Sequence, residues 1–382
     1  MQKKKLKISA IVLLFLSITF VDSVGQTAFK TKFSKSNIYA GIEVGSKGVK
    51  MSVVEISKSA QVTGNFNILK DTTFNTDFIS FTPSTFDATL KSFTSFYNLA
   101  TAEYKIPSKR VFTVISSGVK MQAEKESKQE WVANLITKFQ EAIKEPGRKV
   151  EVIDVYQEAR LSHLGIVPNA RRYNTFIIDI GSGNAKGGYF PHGNTTEFKL
   201  FNVNWGTRST TNAAEKNLAE DVSIANYKKQ LNRVLDGAEN NEIIYAVNIS
   251  GAYVLSDNIV CSGGIAWSVA TLIYPELVNN SVVPVTYEEV EKFSDALYRN
   301  FKSVTPEELI KRIKDPSLDK EAILKEMKRV HGVFDQKSLM AGTGLLLKIM
   351  RQFKSVYETK QFFMVKTGQV GWISAYVDDV VE

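Results

Sequence analysis

The sequence predicts an α/β protein built from two related domains with a ligand cleft between them, and three observations carry that prediction. Strand-like and helix-like segments alternate along the chain, which is the mark of α/β architecture. Each half opens on a hairpin with a glycine turn: Gly-Ile-Glu-Val-Gly-Ser-Lys-Gly-Val-Lys over 41–50, and Ile-Asp-Ile-Gly-Ser-Gly-Asn-Ala-Lys-Gly-Gly over 178–188. In both, a β-branched strand carries an acid two residues before the first glycine. Glycine lets backbone N–H groups approach an anion with no Cβ in the way, and a tight turn aims several of them at one point. Two such turns suggest a two-sided phosphate clamp, with plain hairpin turns as the alternative.

The elements follow in order. Residues 38–44 and 50–56 read as paired strands about the first turn, and Phe86, Leu90, Phe93 and Tyr97 form one apolar helical face. A strand over 110–115, a helix over 130–143 stopped by Pro146-Gly147, and a strand over 149–155 complete the first half. Strands over 175–180 and 185–190 flank the second turn. Residues 248–252 and 258–262 then read as strand ends feeding glycine turns, with a helix from about Ala266. Thr286-Tyr-Glu-Glu and Thr305-Pro-Glu-Glu are capping boxes that start helices, and 311–328 alternates acids and bases as on a solvated helical face.

At 382 residues, 43% hydrophobic and 23% charged, the chain has room for more than one core. The expected domains are 37–173 and 174–382. The first seven residues hold four lysines, residues 8–21 are almost wholly apolar, and small residues stand at Ser23 and Gly25. That pattern reads as a signal peptide over 1–25, because 14 apolar residues fall short of the ~20 a permanent span needs. An uncleaved anchor is the alternative. The mature protein is expected outside the cytoplasm, periplasmic or extracellular, with no stable membrane insertion after cleavage.

The whole chain carries a formal charge of +8, and loss of four lysines and one aspartate with 1–25 leaves about +5. Such a surface favours a polyanionic ligand without requiring nucleic acid. Cys261 is the single cysteine, so no intramolecular disulfide forms, and its apolar flanks make it a buried structural thiol. The three histidines, 163, 192 and 331, are too scattered for a zinc site.

Six blocks in order resemble the exopolyphosphatase/guanosine pentaphosphate phosphatase family of the actin-like ATPase superfamily. They are Glu-Val-Gly-Ser-Lys-Gly from 43, Val-Ile-Ser-Ser-Gly-Val-Lys from 114, the run from Val150 to Leu161 ending Gln-Glu-Ala-Arg-Leu, Asp-Ile-Gly-Ser-Gly-Asn-Ala-Lys from 179, Cys-Ser-Gly-Gly from 261 and Leu-Met-Ala-Gly-Thr-Gly from 339. The resemblance implies two actin-like, ribonuclease H-like domains with a phosphate-binding cleft and a helical C-terminal part. It also implies Glu158 as general base, with Asp179 in the catalytic set. Gly45, Ser46, Lys47, Ser117, Lys120, Gly181, Ser182, Gly183, Asn184 and Lys186 would bind phosphate, and Glu43 and Asp179 would hold Mg²⁺.

This sequence departs from the family pattern at several of those positions. Glu43 stands for an aspartate, Lys47 for an asparagine, Lys120 for an arginine and Lys186 for a glutamate. Lysine charge can therefore replace a metal ion, or the site can bind a phosphorylated ligand without turning it over. The expectations are a phosphohydrolase acting on polyphosphate or a related polyphosphorylated molecule, or a non-catalytic binder of the same anions. Export weakens the guanosine pentaphosphate reading, because that molecule is cytoplasmic. The expected partners are polyphosphate or a similar small molecule and a second copy of the chain in a homodimer, with no nucleic acid.

Overall fold

Two mixed sheets, each opened by a glycine-turn hairpin, organise the molecule. The structure is a computed structural model that describes residues 29–58, 66–251, 256–354 and 359–380. The signal-peptide reading lies outside the described residues. Among them, no helix is long and apolar enough to cross a membrane.

In the first sheet, β1 (Ser36–Gly45), β2 (Gly48–Ser57) and β3 (Phe66–Asn75) form an antiparallel meander. Strands β4 (Val111–Ile115) and β5 (Glu151–Val152) add in parallel on the far side of β1, giving the order β3-β2-β1-β4-β5. The second sheet repeats this plan. Strands β6 (Thr175–Ile180), β7 (Ala185–Tyr189) and β8 (Lys199–Val203) form the meander, and β9 (Asn258–Ser262) and β11 (Gln361–Val365) continue in parallel. An antiparallel β10 (Val282–Val285) closes the order β10-β11-β9-β6-β7-β8. Both acids of the sequence pattern therefore end the central strand of a meander.

Each sheet has its own core. Phe93, Phe96 and Tyr97 of helix Pro83–Asn98 pack on the first sheet with Leu135 and Phe139 of helix Gln129–Ile143. Leu90 is only partly buried. The second core holds Cys261, Trp267 and most of the apolar face of helix Gln336–Lys354. Burial pushes the Cys261 thiol up to about 12, as a structural cysteine requires.

One helix, Val155–Ile166, joins the two halves: Leu161 packs in a cluster with the first sheet and Ile166 in a cluster with the second. It carries Glu158. The C-terminal helix Gly371–Val380 returns to lie on this helix and on β1, so the last helix of the chain belongs with the first sheet. Close approach makes that possible: a Cβ on Gly165 would meet the Gly371 carbonyl oxygen at 1.8 Å, and one on Gly41 would meet Ile373 at 2.5 Å.

Three expectations are corrected. Residues 244–250 form a helix rather than a strand end, running on from helix Ile224–Ala238 through a π-turn, with Val247 and Ser250 buried and Tyr245 and Ile249 exposed at helical spacing. The strand expected over 149–155 pairs only at Glu151–Val152, because Asp154 caps a helix that starts at Val155. Thr286 closes a full capping box, whereas Thr305 starts a helix of only four residues without a side-chain cap.

Candidate active site

The two hairpins build the site from the same local plan. Directly opposite each acid, across the hairpin, the sequence sets a lysine: Glu43 faces Lys50, and Asp179 faces Lys186. Directly opposite residues of an antiparallel pair share one face of the sheet, so each pair points the same way.

In the second hairpin the pair stays closed. The buried Lys186 ammonium is 3.6 Å from Asp179 Oδ2 and 2.9 Å from Glu158 Oε1. Ser262, paired in parallel register with Asp179, donates its hydroxyl to Asp179 Oδ1 at 2.7 Å. The Ser117 N–H, at the start of helix Ser117–Lys125, donates to Glu158 Oε2 at 3.2 Å. Burial alone would lower the Lys186 pKa, but Glu158, Asp179 and Glu43 outweigh it and hold the ammonium well above the usual lysine range. Burial likewise opposes ionisation of Glu158, yet Lys186 and the Ser117 donors hold its carboxyl below the usual range. Glu158 is thus a fixed carboxylate.

In the first hairpin the pair is open. Lys50 reaches instead to Asp71 on β3, 3.6 Å away, and Asp71 also accepts the Ser52 hydroxyl at 2.7 Å. Glu43 makes no hydrogen bond or ion pair with any described residue. Its Oε1 lies at the turn, 3.7 Å from where a Cβ on Gly45 would stand. Burial, then the Glu158 charge, push the Glu43 carboxyl up to about 7, against the pull of Lys50 and Lys186.

The turns differ as well. Ser46 and Lys47 form the tip of the first, and the Lys47 carbonyl is held by the N–H groups of Thr76 (3.0 Å) and Asp77 (3.2 Å). Its side chain is exposed, and desolvation and then the nearby Arg208 draw its pKa below the usual range. The second turn is closed by a Gly181 N–H to Asn184 carbonyl bond of 2.9 Å. It is clasped from outside by helix Thr207–Lys216, whose Thr207, Arg208 and Ser209 N–H groups donate to the carbonyls of Gly181 and Ser182 at 2.8 to 3.1 Å. That helix start therefore orients the turn, leaving Ser182 and Gly183 exposed. A cavity of about 660 Å³ opens here, lined by Lys47, Ser182, Arg208, Asn212, His331 and Phe334 among others.

Of the residues singled out in sequence, the structure brings Glu158, Asp179 and Lys186 into contact, with Glu43 within electrostatic reach of them, and it sets Lys47, Gly181 and Ser182 on one wall of a cavity that the first four do not line. Ser46 lies against the start of the Ser117 helix, its hydroxyl 2.7 Å from where a Cβ on Gly118 would stand. Lys120 turns to Asp154, 3.8 Å away, and does not line that cavity. Sequence reasoning missed Lys50, Ser262 and Arg208. The first two are register partners of the acids, and Arg208 follows the glycine that packs on the second turn.

Structural comparison places this geometry. The chain superposes on the Aquifex aeolicus member of the Ppx/GppA protein family with a TM-score of 0.61 at 16% identity, covering 91% of this chain and 99% of that one. The chain has the Ppx/GppA fold. An exopolyphosphatase-like protein (TM-score 0.54, 15% identity, 91% and 100% covered) and an exopolyphosphatase from Cytophaga hutchinsonii (0.51, 15%, 89% and 98%) are similar in the same way. No protein-family model matches the sequence, and no curated protein does. The two-domain actin-like α/β architecture expected from the sequence is the one observed.

On that fold, magnesium is the cofactor the resemblance implies, and the donor set at Asp179 and Glu43 does not fit it. The Lys186 ammonium already faces the Asp179 and Glu158 oxygens, and Ser262 takes the other Asp179 oxygen. Magnesium demands near-ideal octahedral oxygen geometry, and a fixed cation among the carboxylates opposes it. Among the described residues, no three His, Cys, Asp or Glu are arranged to hold a metal ion.

Proposed function

We propose that the protein is a phosphohydrolase that removes the terminal phosphate of polyphosphate, or of a related polyphosphorylated ligand, in the cleft between its two hairpin turns. The observation that carries this reading is the cluster of Glu43, Glu158 and Asp179 around Lys186 at the foot of those turns. The likeness to an exopolyphosphatase and to Ppx/GppA proteins supports the substrate class.

Hydrolysis of a phosphoanhydride needs a positioned water, an acceptor for its proton, and positive charge or N–H donors on the transferring group. Lys47 and Arg208 bring two cations to one side of the cavity, and the exposed Ser182 and Gly183 bring a hydroxyl and backbone donors. Lys186 supplies fixed positive charge where the fold's relatives are expected to hold a metal. Asp179 and Glu158 keep that ammonium in place, so the charge is set before the ligand arrives. The lysine-rich start and apolar run of the sequence support an exported protein, for which inorganic polyphosphate is a more accessible ligand than a cytoplasmic nucleotide.

A second reading, a polyphosphate binder that does no chemistry, is favoured by the engagement of both Glu158 oxygens. Phosphate release from long-chain polyphosphate, guanosine pentaphosphate and ATP decides between them when measured beside equilibrium binding of the same three. Release from polyphosphate is expected; tight binding with no release from any of them would establish the binder.

A further inference from the structure

A second cavity of about 660 Å³ opens where the edge of the first sheet meets the second half of the chain, and it shares no lining residue with the cavity that holds Lys47 and Ser182. Part of its lining comes from Phe33 and strand β3, and part from the start of β10 and the residues just after β11. Small-molecule sites occupy cavities of this size and favour such junctions. The two acids on the lining are already engaged. Glu326 accepts the Trp267 indole N–H at 2.7 Å and faces the Arg329 guanidinium at 3.3 Å, and that guanidinium lies 4.5 Å over the Trp267 ring. Asp71 is held by Lys50 and Ser52.

Lys366 is matched differently. It is buried, its ammonium donates to the carbonyls of Leu277 and Val278, and it forms no ion pair with a carboxylate among the described residues. Glu326 acts on it only from a distance, and burial draws its pKa down to about 8. Lysines are almost never buried without a counter-charge. An ammonium has three N–H donors, so one remains after the two carbonyls. Ser281, whose carbonyl accepts the Lys366 backbone N–H at 2.9 Å, and Thr367 bring hydroxyls to the same lining. Apolar surface adjoins them: Phe33, Phe66 and Ile68 are half-buried, and Val282 keeps 44% of its surface exposed.

We propose that this cavity is a second ligand site, which takes a phosphate monoester with an apolar body: the phosphate meets the Lys366 ammonium, and the apolar part lies against Phe33, Phe66 and Val282. The ligand supplies the counter-charge that the fold omits. Lysine recognises phosphate as a point charge. Donors from Lys366, Ser281 and Thr367 match the three terminal oxygens of a monoester, whereas a carboxylate has two. The site is independent of the hydrolase reading, because none of its lining residues lies on either hairpin.

The test is calorimetric binding of phenyl phosphate, inorganic phosphate and benzoate to the wild type, Lys366→Met, Thr367→Glu and Arg208→Ala. The wild type is expected to bind phenyl phosphate about tenfold or more tightly than the other two, since neither offers both halves of the ligand. Lys366→Met is expected to weaken that binding by about tenfold or more, as loss of a charge-assisted hydrogen bond implies. Thr367→Glu keeps Lys366 and its carbonyl contacts and sets a carboxylate in the cavity. It is expected to abolish binding in a folded protein, which answers for any failure of the Met variant to fold. Arg208→Ala, on the other cavity, is expected to leave binding within about twofold. Binding that persists in both Lys366→Met and Thr367→Glu, or that is lost in Arg208→Ala alone, would overturn the proposal. So would no binding of phenyl phosphate to the wild type, or equal affinity for the three ligands. Each of these results leaves the hydrolase reading standing, since that reading is decided by phosphate release from polyphosphate.

Discussion

The two hairpins start from the same sequence device, an acid set across from a lysine beside a glycine turn, and finish in opposite electrostatic states. In the second, Lys186 stays on Asp179 and also pairs with Glu158, so one ammonium is shared by two carboxylates. In the first, β3 offers Asp71 as a competing partner, Lys50 leaves, and Glu43 is stranded. Asp71, on an edge strand outside both hairpins, accompanies that difference. The neighbours of the two hairpins pair the lysine with two acids in one and draw it to an acid outside the hairpin in the other.

The largest effect that would break this comparison is expected at Lys186. Lys186→Met leaves Glu158 and Asp179 without their buried cation, and removing one partner of such a pair costs about 3–5 kcal/mol. The sign with pH follows from the carboxyls. Without the ammonium, burial raises the folded-state pKa of Glu158 above that of the unfolded chain, so the variant regains stability as pH falls and loses it as pH rises through that value. Urea denaturation at pH 5 and pH 7.5 checks this; an equal deficit at both would mean that Lys186 contributes by packing and not by charge.

A smaller effect is expected on the open side. Lys47→Ala and Arg208→Ala should each weaken polyphosphate binding by about 1–3 kcal/mol, the range for a hydrogen bond to a charged group, with little change in fold stability because Lys47 is exposed. Arg208 lowers the Lys47 pKa, so the two share a field, and the double variant should show a coupling energy in a binding cycle. Strict additivity would place them on separate parts of the ligand.

The mildest change sharpens the comparison most. Asp71→Asn keeps an acceptor for the Ser52 hydroxyl but removes the charge that holds Lys50, which should let Lys50 return to Glu43 and copy the closed arrangement. An opposite charge close to a carboxylate lowers its pKa. The Glu43 carboxyl, followed by NMR titration, should therefore protonate at lower pH in the variant than in the wild type. An unmoved titration would show that Asp71 does not control the first hairpin.

Much of this architecture was legible in the sequence, and what escaped has physical reasons. The hairpins at 36–57 and 175–189, and the helices at 83–98 and 129–143, announce themselves by alternation, glycine and an apolar stripe. Strand β3 did not, because it is an edge strand of mixed polar sequence whose burial pattern alternates little. Residues 244–250 misled because Ile and Val there sit at positions that serve a strand end or a helix face equally well, and only continuity with the preceding helix decides. The acids and Lys186 were found as candidates, but their grouping depends on the joining helix that brings Glu158 across to the second hairpin. Which acid is free could not be read from the hairpin motifs, since it turns on Asp71, a residue in neither motif.

If the protein is a hydrolase, the Lys186 ammonium does the work of a metal ion there. Phosphate release from long-chain polyphosphate by the wild-type protein, compared in excess EDTA and in millimolar Mg²⁺, measures this directly. Rates equal within about twofold are predicted, because Lys186 is already in place before ligand binds. Activity that vanishes in EDTA and returns with Mg²⁺ would contradict it.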